Sequence, residues 1–220
     1  MSFNYFQTRS HLSYWNPLFY FFLIEEFLIN RYEQSIIKKF NKVILVNKND
    51  IFNFKFKNNK VFKEIPLTIN NQKKNIFKYN KLNNKIIFIG NIDYLPNFLA
   101  CLNFSKNILP ILNSSYPNIK FHIIGNINFI YKFLLKKNKN VILHGKVDNL
   151  KTVLSNSICA ISNVKITTGT QGKILTYMSF GVPTIIHANS FQKKLFTQKG
   201  NLLVFSTDEQ LINFIILLKE

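Results

Sequence analysis

Between residues 167 and 183 the chain reads TTGTQGKILTYMSFGVP. The groups that can do chemistry here are hydroxyls, backbone amides and one amine. Gly169 and Gly172 permit a tight loop on which backbone N–H groups converge. A helix beginning near Gln171–Lys173 turns its unpaired N–H groups and its positive dipole end toward the same place. Thr170 adds a hydroxyl donor and Lys173 a full charge on the first turn. A lysine there opposes the helix dipole, which costs roughly 0.3 kcal/mol or more unless an anion offsets it. This combination suits a phosphate. It is not a Walker A loop, because the G-x-x-x-x-G-K-[ST] spacing is absent, and a purely structural loop stays open as the alternative.

Other polar candidates are sparser. His11, His122, His144 and His187 show no metal-ligand spacing, so no metal site is expected. His144 stands where a strand should end, but a lone His beside Gly is more often structural. Asp93 and Asp148 fall in loops at the same level, with Asp148 placed to cap the helix that follows. Tyr94, Pro96 and Asn97 fit the start of a helix as well as they fit a ligand. No catalytic side chain stands out.

The elements that must position these residues follow from the apolar pattern. KIIFIG (85–90), KFHIIG (120–125), VILHG (141–145), ICAIS (158–162), PTIIH (183–187) and NLLVF (201–205) read as short buried strands. Helical spacing fills 96–112, 128–137, 173–180 and 208–218, with a short helix near 150–154. Asp208 is the expected cap of the last. Continuously apolar strands alternating with helices predict an α/β fold with a Rossmann-like, doubly wound parallel sheet. Three successive strands end in Gly90, Gly125 and Gly145, at the edge where such sheets hold ligands.

Residues 1–84 differ. A helical stretch (about 12–40), a strand (42–47), a VFKEIPL segment and a polar run suggest the tail of an α/β domain, too small for an independent sheet. The expected organisation is a truncated N-terminal α/β segment (1–67), a linker (68–84) and a nucleotide-binding domain (85–220).

Composition narrows the class. Of the 220 residues, 47% are hydrophobic and 18% charged, enough for a sizeable core. The net charge of +19 raises nucleic-acid binding. Lysines spread along the chain and only two arginines, Arg9 and Arg31, argue against base readout. Cys101 and Cys159 lie in apolar runs and read as buried thiols of a reducing compartment. PLFYFFLIEEFLI (17–29) is too short and too acidic to span a bilayer. The expected location is cytoplasmic, with peripheral contact at the inner face of the membrane left open.

At this point the residues resemble a family. G-N-x-D-Y-x-P-N at 90–97 and G-T-x-x-K-x-L-x-x-M-x-x-G-x-P at 169–183 are similar to the C-terminal domain of GT-B glycosyltransferases of the glycosyl transferases group 1 type, over roughly residues 85–218. RYEQSIIKKFNKVILVNKND (31–50) resembles the end of the N-terminal, acceptor-side domain, whose start is absent here. The resemblance implies a hexosyltransferase without metal or cofactor. It would move a sugar from a nucleotide diphosphate sugar to a glycan or lipid-linked acceptor in polysaccharide or cell-envelope synthesis. It places Gly90 and Asn91 near the diphosphate, and Gly145, Lys146 and Val147 along the base. Thr168, Gly169, Thr170, Gln171 and Lys173 would surround phosphate and sugar. The family's two acids, eight residues apart, fall here on Thr168 and Thr176. The second normally grips the ribose, so Thr176 implies a weakened clamp. A donor-binding remnant without turnover is the alternative.

Overall fold

The computed structural model describes residues 6, 9–10, 12–45, 62–65, 80, 82–165, 172–191 and 202–220. They divide into an N-terminal unit and a larger one that begins after residue 68. In the first, helix α1 (Pro17–Ile37) starts on an Asn16 cap with Pro17 in its first turn. Asn16 Oδ1 accepts the Leu18 N–H at 3.0 Å, and proline loses nothing there because its missing N–H would have no helical partner. Strands β1 (Val43–Leu45) and β2 (Phe62–Glu64) pair in parallel. Only Phe19 and Ile37 of α1 are buried. Leu18, Phe21, Ile24, Phe27 and Leu28 are all more than half exposed.

The larger unit carries the predicted sheet. Strands β3 (Lys85–Ile89), β4 (Lys120–Ile124), β5 (Val141–Gly145), β6 (Ser157–Ser162), β7 (Thr184–His187) and β8 (Leu202–Phe205) are all parallel, in the order β5-β4-β3-β6-β7-β8. β6 and β7 are buried along their whole length, as strands covered on both faces must be. One face packs Ile86, Phe88, Phe121 and Cys159 under α2 (Leu95–Asn103), α3 (Leu109–Ser115), α4 (Phe129–Leu135) and α7 (Asp208–Lys219). The other packs Ile87, Ile124 and Ala160 under α5 (Leu150–Leu154) and α6 (Gly172–Ser179).

Three expectations need correction. The helix expected over 96–112 is interrupted: a π-helical turn, Phe104–Ile108, separates α2 from α3. Pro110 has no N–H, and its ring would meet the carbonyl of Lys106 in a continuous α-helix. The chain widens instead, and the Leu109 N–H reaches Phe104 O, five residues back. Asp208 does not cap the last helix. Thr207 does, its Oγ1 accepting from Gln210 N at 3.2 Å, while Asp208 stands in the first turn facing the dipole. Asp148 is likewise displaced as a cap by Asn149, whose Oδ1 accepts the Lys151 N–H at 3.0 Å. The linker expected at 68–84 lies mostly outside the described residues.

Cys101 and Cys159 are free and fully buried, and burial pushes both thiols well above their usual range. Among the described residues no helix is long and apolar enough to cross a membrane.

Candidate functional site

The strand order reverses between β3 and β6. Successive strands run outward from β3 through β4 to β5, and the chain then returns to lay β6 on the other side of β3. Loops leave two such strands in opposite directions, which opens a crevice at their carboxyl ends. Here the paired stretch runs from Lys85/Ser157 to Ile87/Ala160. Beyond it, the Tyr177 hydroxyl of α6 joins the two strands. It accepts the Ile89 N–H at 2.7 Å and donates to Ile161 O at 3.3 Å. Tyr177 is fully buried, and burial drives its phenol far above its usual range. The hydroxyl ties the C-terminal half of α6 to the sheet at this crevice.

Gly90 and Asn91 follow β3 directly. Their backbone is held from below: Gly90 N–H donates to Ile124 O at 2.9 Å and Ile92 N–H to Asn126 O at 2.7 Å. Gly125 lies against this turn with φ +135°, and a Cβ there would sit 1.9 Å from Gly90 O. Only glycine fits. A Cβ on Gly90 itself would come within 3.1 Å of Asn97 Nδ2 and the Phe88 ring.

Lys173 comes from α6, on one face of the sheet, and reaches groups belonging to the other. Its ammonium donates to Asn97 Oδ1 of α2 at 2.9 Å and lies 4.1 Å from the centroid of the Phe88 ring. Asn97 in turn donates through Nδ2 to Asn91 O at 2.8 Å. Gly90, Asn91, Asn97 and Lys173 thus form one connected group. Lys173 as a whole is half-buried, with its ammonium turned onto Asn97 and the Phe88 ring. Burial lowers its pKa to about 8, against a smaller opposing effect of the nearby Cys101 thiol. Among the described residues no carboxylate pairs with it.

The other expected residues fall as follows. Gly145 ends β5 with φ +68° and accepts the Gly125 N–H at 2.8 Å. Lys146 is exposed, and Val147 packs on the Ile87–Tyr177 cluster. Thr176 lies on α6 with its hydroxyl donating to Gly172 O at 3.1 Å. Thr168, Gly169, Thr170 and Gln171 lie outside the described residues. His144 is not isolated: its Nε2 is 2.9 Å from His122 Nδ1 on β4. Burial lowers both imidazoles, His122 to about 4; His144, Lys85 and Lys120 add to the effect on His122, and Lys85 adds to it on His144. Asp93 is engaged too, its carboxylate accepting the Asn128 N–H at 2.6 Å.

The sequence alone leaves Asn97 between a ligand contact and a helix start, and gives Tyr177 no role at the site. Asn97 was visible as the last residue of G-N-x-D-Y-x-P-N, but helix-start propensity explained it equally well. Tyr177 reads as one more apolar residue of KILTYMSF. Asn163, just after β6, carries no signal in the sequence either. It donates to Ala100 O at 2.8 Å, while its buried Oδ1 has no partner.

Comparison with known proteins agrees with this architecture. The family model described as Glycosyl transferases group 1 matches residues 83–218. A search of curated protein sequences finds no match. Among solved structures, TarM, known also from S. aureus in complex with UDP, aligns at a TM-score of 0.67 and 18% identity, over 86% of this chain and 39% of that one. HepE from Anabaena, in complex with UDP and glucose, gives a TM-score of 0.64 at 11% identity over 86% of this chain and 56% of its own. WaaG, a glycosyltransferase involved in lipopolysaccharide biosynthesis, gives 0.57 at 14% identity over 81% and 54%. The chain therefore spans 39% to 56% of the length of these three neighbours. Identities this low establish the fold, and the family match covers more than half of the 220 residues. The chain belongs to the group 1 glycosyl transferases, and its larger unit has the Rossmann-like architecture of their GT-B fold.

Proposed function

We propose that the larger unit binds a nucleotide diphosphate sugar at the carboxyl edge of its sheet. The protein that carries it transfers a hexosyl group to a glycan or lipid-linked acceptor, in polysaccharide or cell-envelope synthesis. The observation that supports this best is the Lys173 ammonium, held at the switch point by Asn97 and Phe88. A desolvated cation without a carboxylate attracts a diphosphate more strongly than a solvated one. The attraction grows as negative charge accumulates on the leaving diphosphate in the transition state. In this reading the lysine supplies the charge that a metal would otherwise supply. The bare Gly90–Asn91 turn lets phosphate oxygens approach the backbone, and the Gly145–Val147 turn supports the base. TarM, HepE and the pneumococcal transferase GtfA have been crystallised with UDP. Uridine nucleotides are therefore the first donor class to test.

Thr176 supports a second reading, in which the chain binds a donor without turning it over. Its hydroxyl proton is committed to Gly172 O, so it offers a ribose only an acceptor. Replacing a charged, bidentate grip by this contact weakens binding by about 1–3 kcal/mol, roughly ten- to hundredfold.

A thermal-shift titration with UDP, GDP, ADP, CMP and their sugar conjugates tests the donor site. A ligand at about 100 times its dissociation constant adds about 2.7 kcal/mol, a shift of several degrees at this size. A selective shift that Lys173→Ala removes supports the site. A folded protein that no nucleotide shifts overturns it. Sugar release from the bound conjugate then separates turnover from binding alone, and Thr176→Glu is expected to tighten binding about tenfold.

A further inference from the structure

We infer that α4 is a bilayer-contact surface, which docks the larger unit on an anionic lipid membrane. The helix turns two unlike sides to its surroundings. Its inner side is firmly seated: Tyr131 stacks on Phe98 of α2 with ring centroids 3.7 Å apart and planes 8° from parallel, and Leu135 is completely buried. Its outer side carries Phe129, Ile130 and Phe133, exposed by 83%, 67% and 62%. At 100° per residue these three share one arc of the helix. Lys132 and the cap residue Lys136 border that arc on one side, and Lys137, just past the helix end, sets its ammonium 5.4 Å from the centroid of the Phe133 ring. All three lysines are exposed.

The seated inner side means that the aromatic residues are held outward and are not the loose face of a fraying helix. Their charge surroundings select the occupant. α4 contains no acid, and a net charge of +19 opposes docking of a second copy face to face. The nearest acid to the helix start, Asp93, is engaged with the Asn128 N–H. Apolar side chains between lysines match the boundary of an anionic bilayer: rings enter the acyl region while the ammonium groups remain at the phosphates. Each lysine near such a surface contributes about fivefold to binding. The contact is independent of the nucleotide site, so failure of either proposal leaves the other standing.

Flotation of the full chain with extruded vesicles tests it. Zwitterionic phosphatidylcholine is compared with a mixture containing phosphatidylglycerol, at low and moderate salt. Binding to the anionic vesicles only, weakened by salt, is expected. Phe129→Ser with Phe133→Ser should lower it at least tenfold. Lys132→Gln, Lys136→Gln and Lys137→Gln together should lower it about a hundredfold. Circular dichroism confirms that both variants remain folded. Wild-type binding to neither vesicle overturns the inference. So does unchanged binding of both variants, which would move the contact to another surface such as α1. A concentration-dependent dimer dissolved by the serine changes, without vesicle binding, would give the face to a second copy and also overturn it.

Discussion

Lys173 has a folded-state pKa of about 8 against an ordinary 10.5, because burial penalises its charged form. Between these two values the unfolded chain binds more protons than the folded one, so folding stability rises with pH across that window. Below it the penalty is present in full, and above it the penalty is gone. Lys173→Met removes the group that carries it. Denaturant unfolding should therefore show the variant's stability, relative to wild type, highest near neutral pH and declining steadily as pH rises above about 8. A constant difference across the window would show that the ammonium is well solvated. Nucleotide affinity should run the other way, falling as the free lysine loses its proton above about pH 8, because a neutral amine offers a diphosphate no charge. Isothermal titration at several pH values reads this directly. A group that destabilises the empty site and favours the loaded one is expected where function is kept at the expense of stability.

At the level of elements, α6 is coupled to the sheet through one phenol. Tyr177 ties β3 and β6 where their pairing ends, by accepting from Ile89 N and donating to Ile161 O. Tyr177→Phe keeps the ring and the packing but strands the partly buried Ile89 N–H and the buried Ile161 carbonyl. A loss of about 1–3 kcal/mol in unfolding free energy is expected, together with weaker nucleotide binding, since the same helix carries Lys173. Stability unchanged to within about 0.5 kcal/mol would mean that water replaces the hydroxyl. The π-helical turn between α2 and α3 is a comparable accommodation. It lets one apolar stripe continue on the sheet past Pro110, with Phe104, Ile108, Leu109 and Leu112 all buried.

Across the whole molecule the charge is unbalanced. There are 29 Lys and Arg against 10 Asp and Glu. The two ion pairs among the described residues are Arg9–Glu26 and Lys165–Asp208, at 3.0 and 4.0 Å. Screening thus relieves much repulsion and costs few attractions. Raising ionic strength from about 0.01 M to about 0.15 M shortens the Debye length from about 30 Å to about 8 Å. The melting temperature should rise over that range. A fall would mean that paired charges outweigh the excess.

The strand and helix sequence of the larger unit was legible in the chain. Continuous apolar runs of four to six residues cannot sit in a half-exposed sheet, and each ends at Gly, Ser or a turn. That fixed the parallel α/β class and the edge where a ligand belongs. The caps were less legible. Thr207 and Asp208, like Asp148 and Asn149, are neighbours with nearly equal capping propensity, and the backbone angle at each decides between them. The lysine itself was visible as a misfit at the start of a helix. Its partners were not, because Asn97 and Phe88 come from elements tens of residues away. Only the crossover that sets β6 beside β3 brings α6 within reach of α2. Local pattern determined what each segment becomes, and the order of strands determined which side chains meet. Strand order is a property of long-range packing, to which periodicity along the chain is blind.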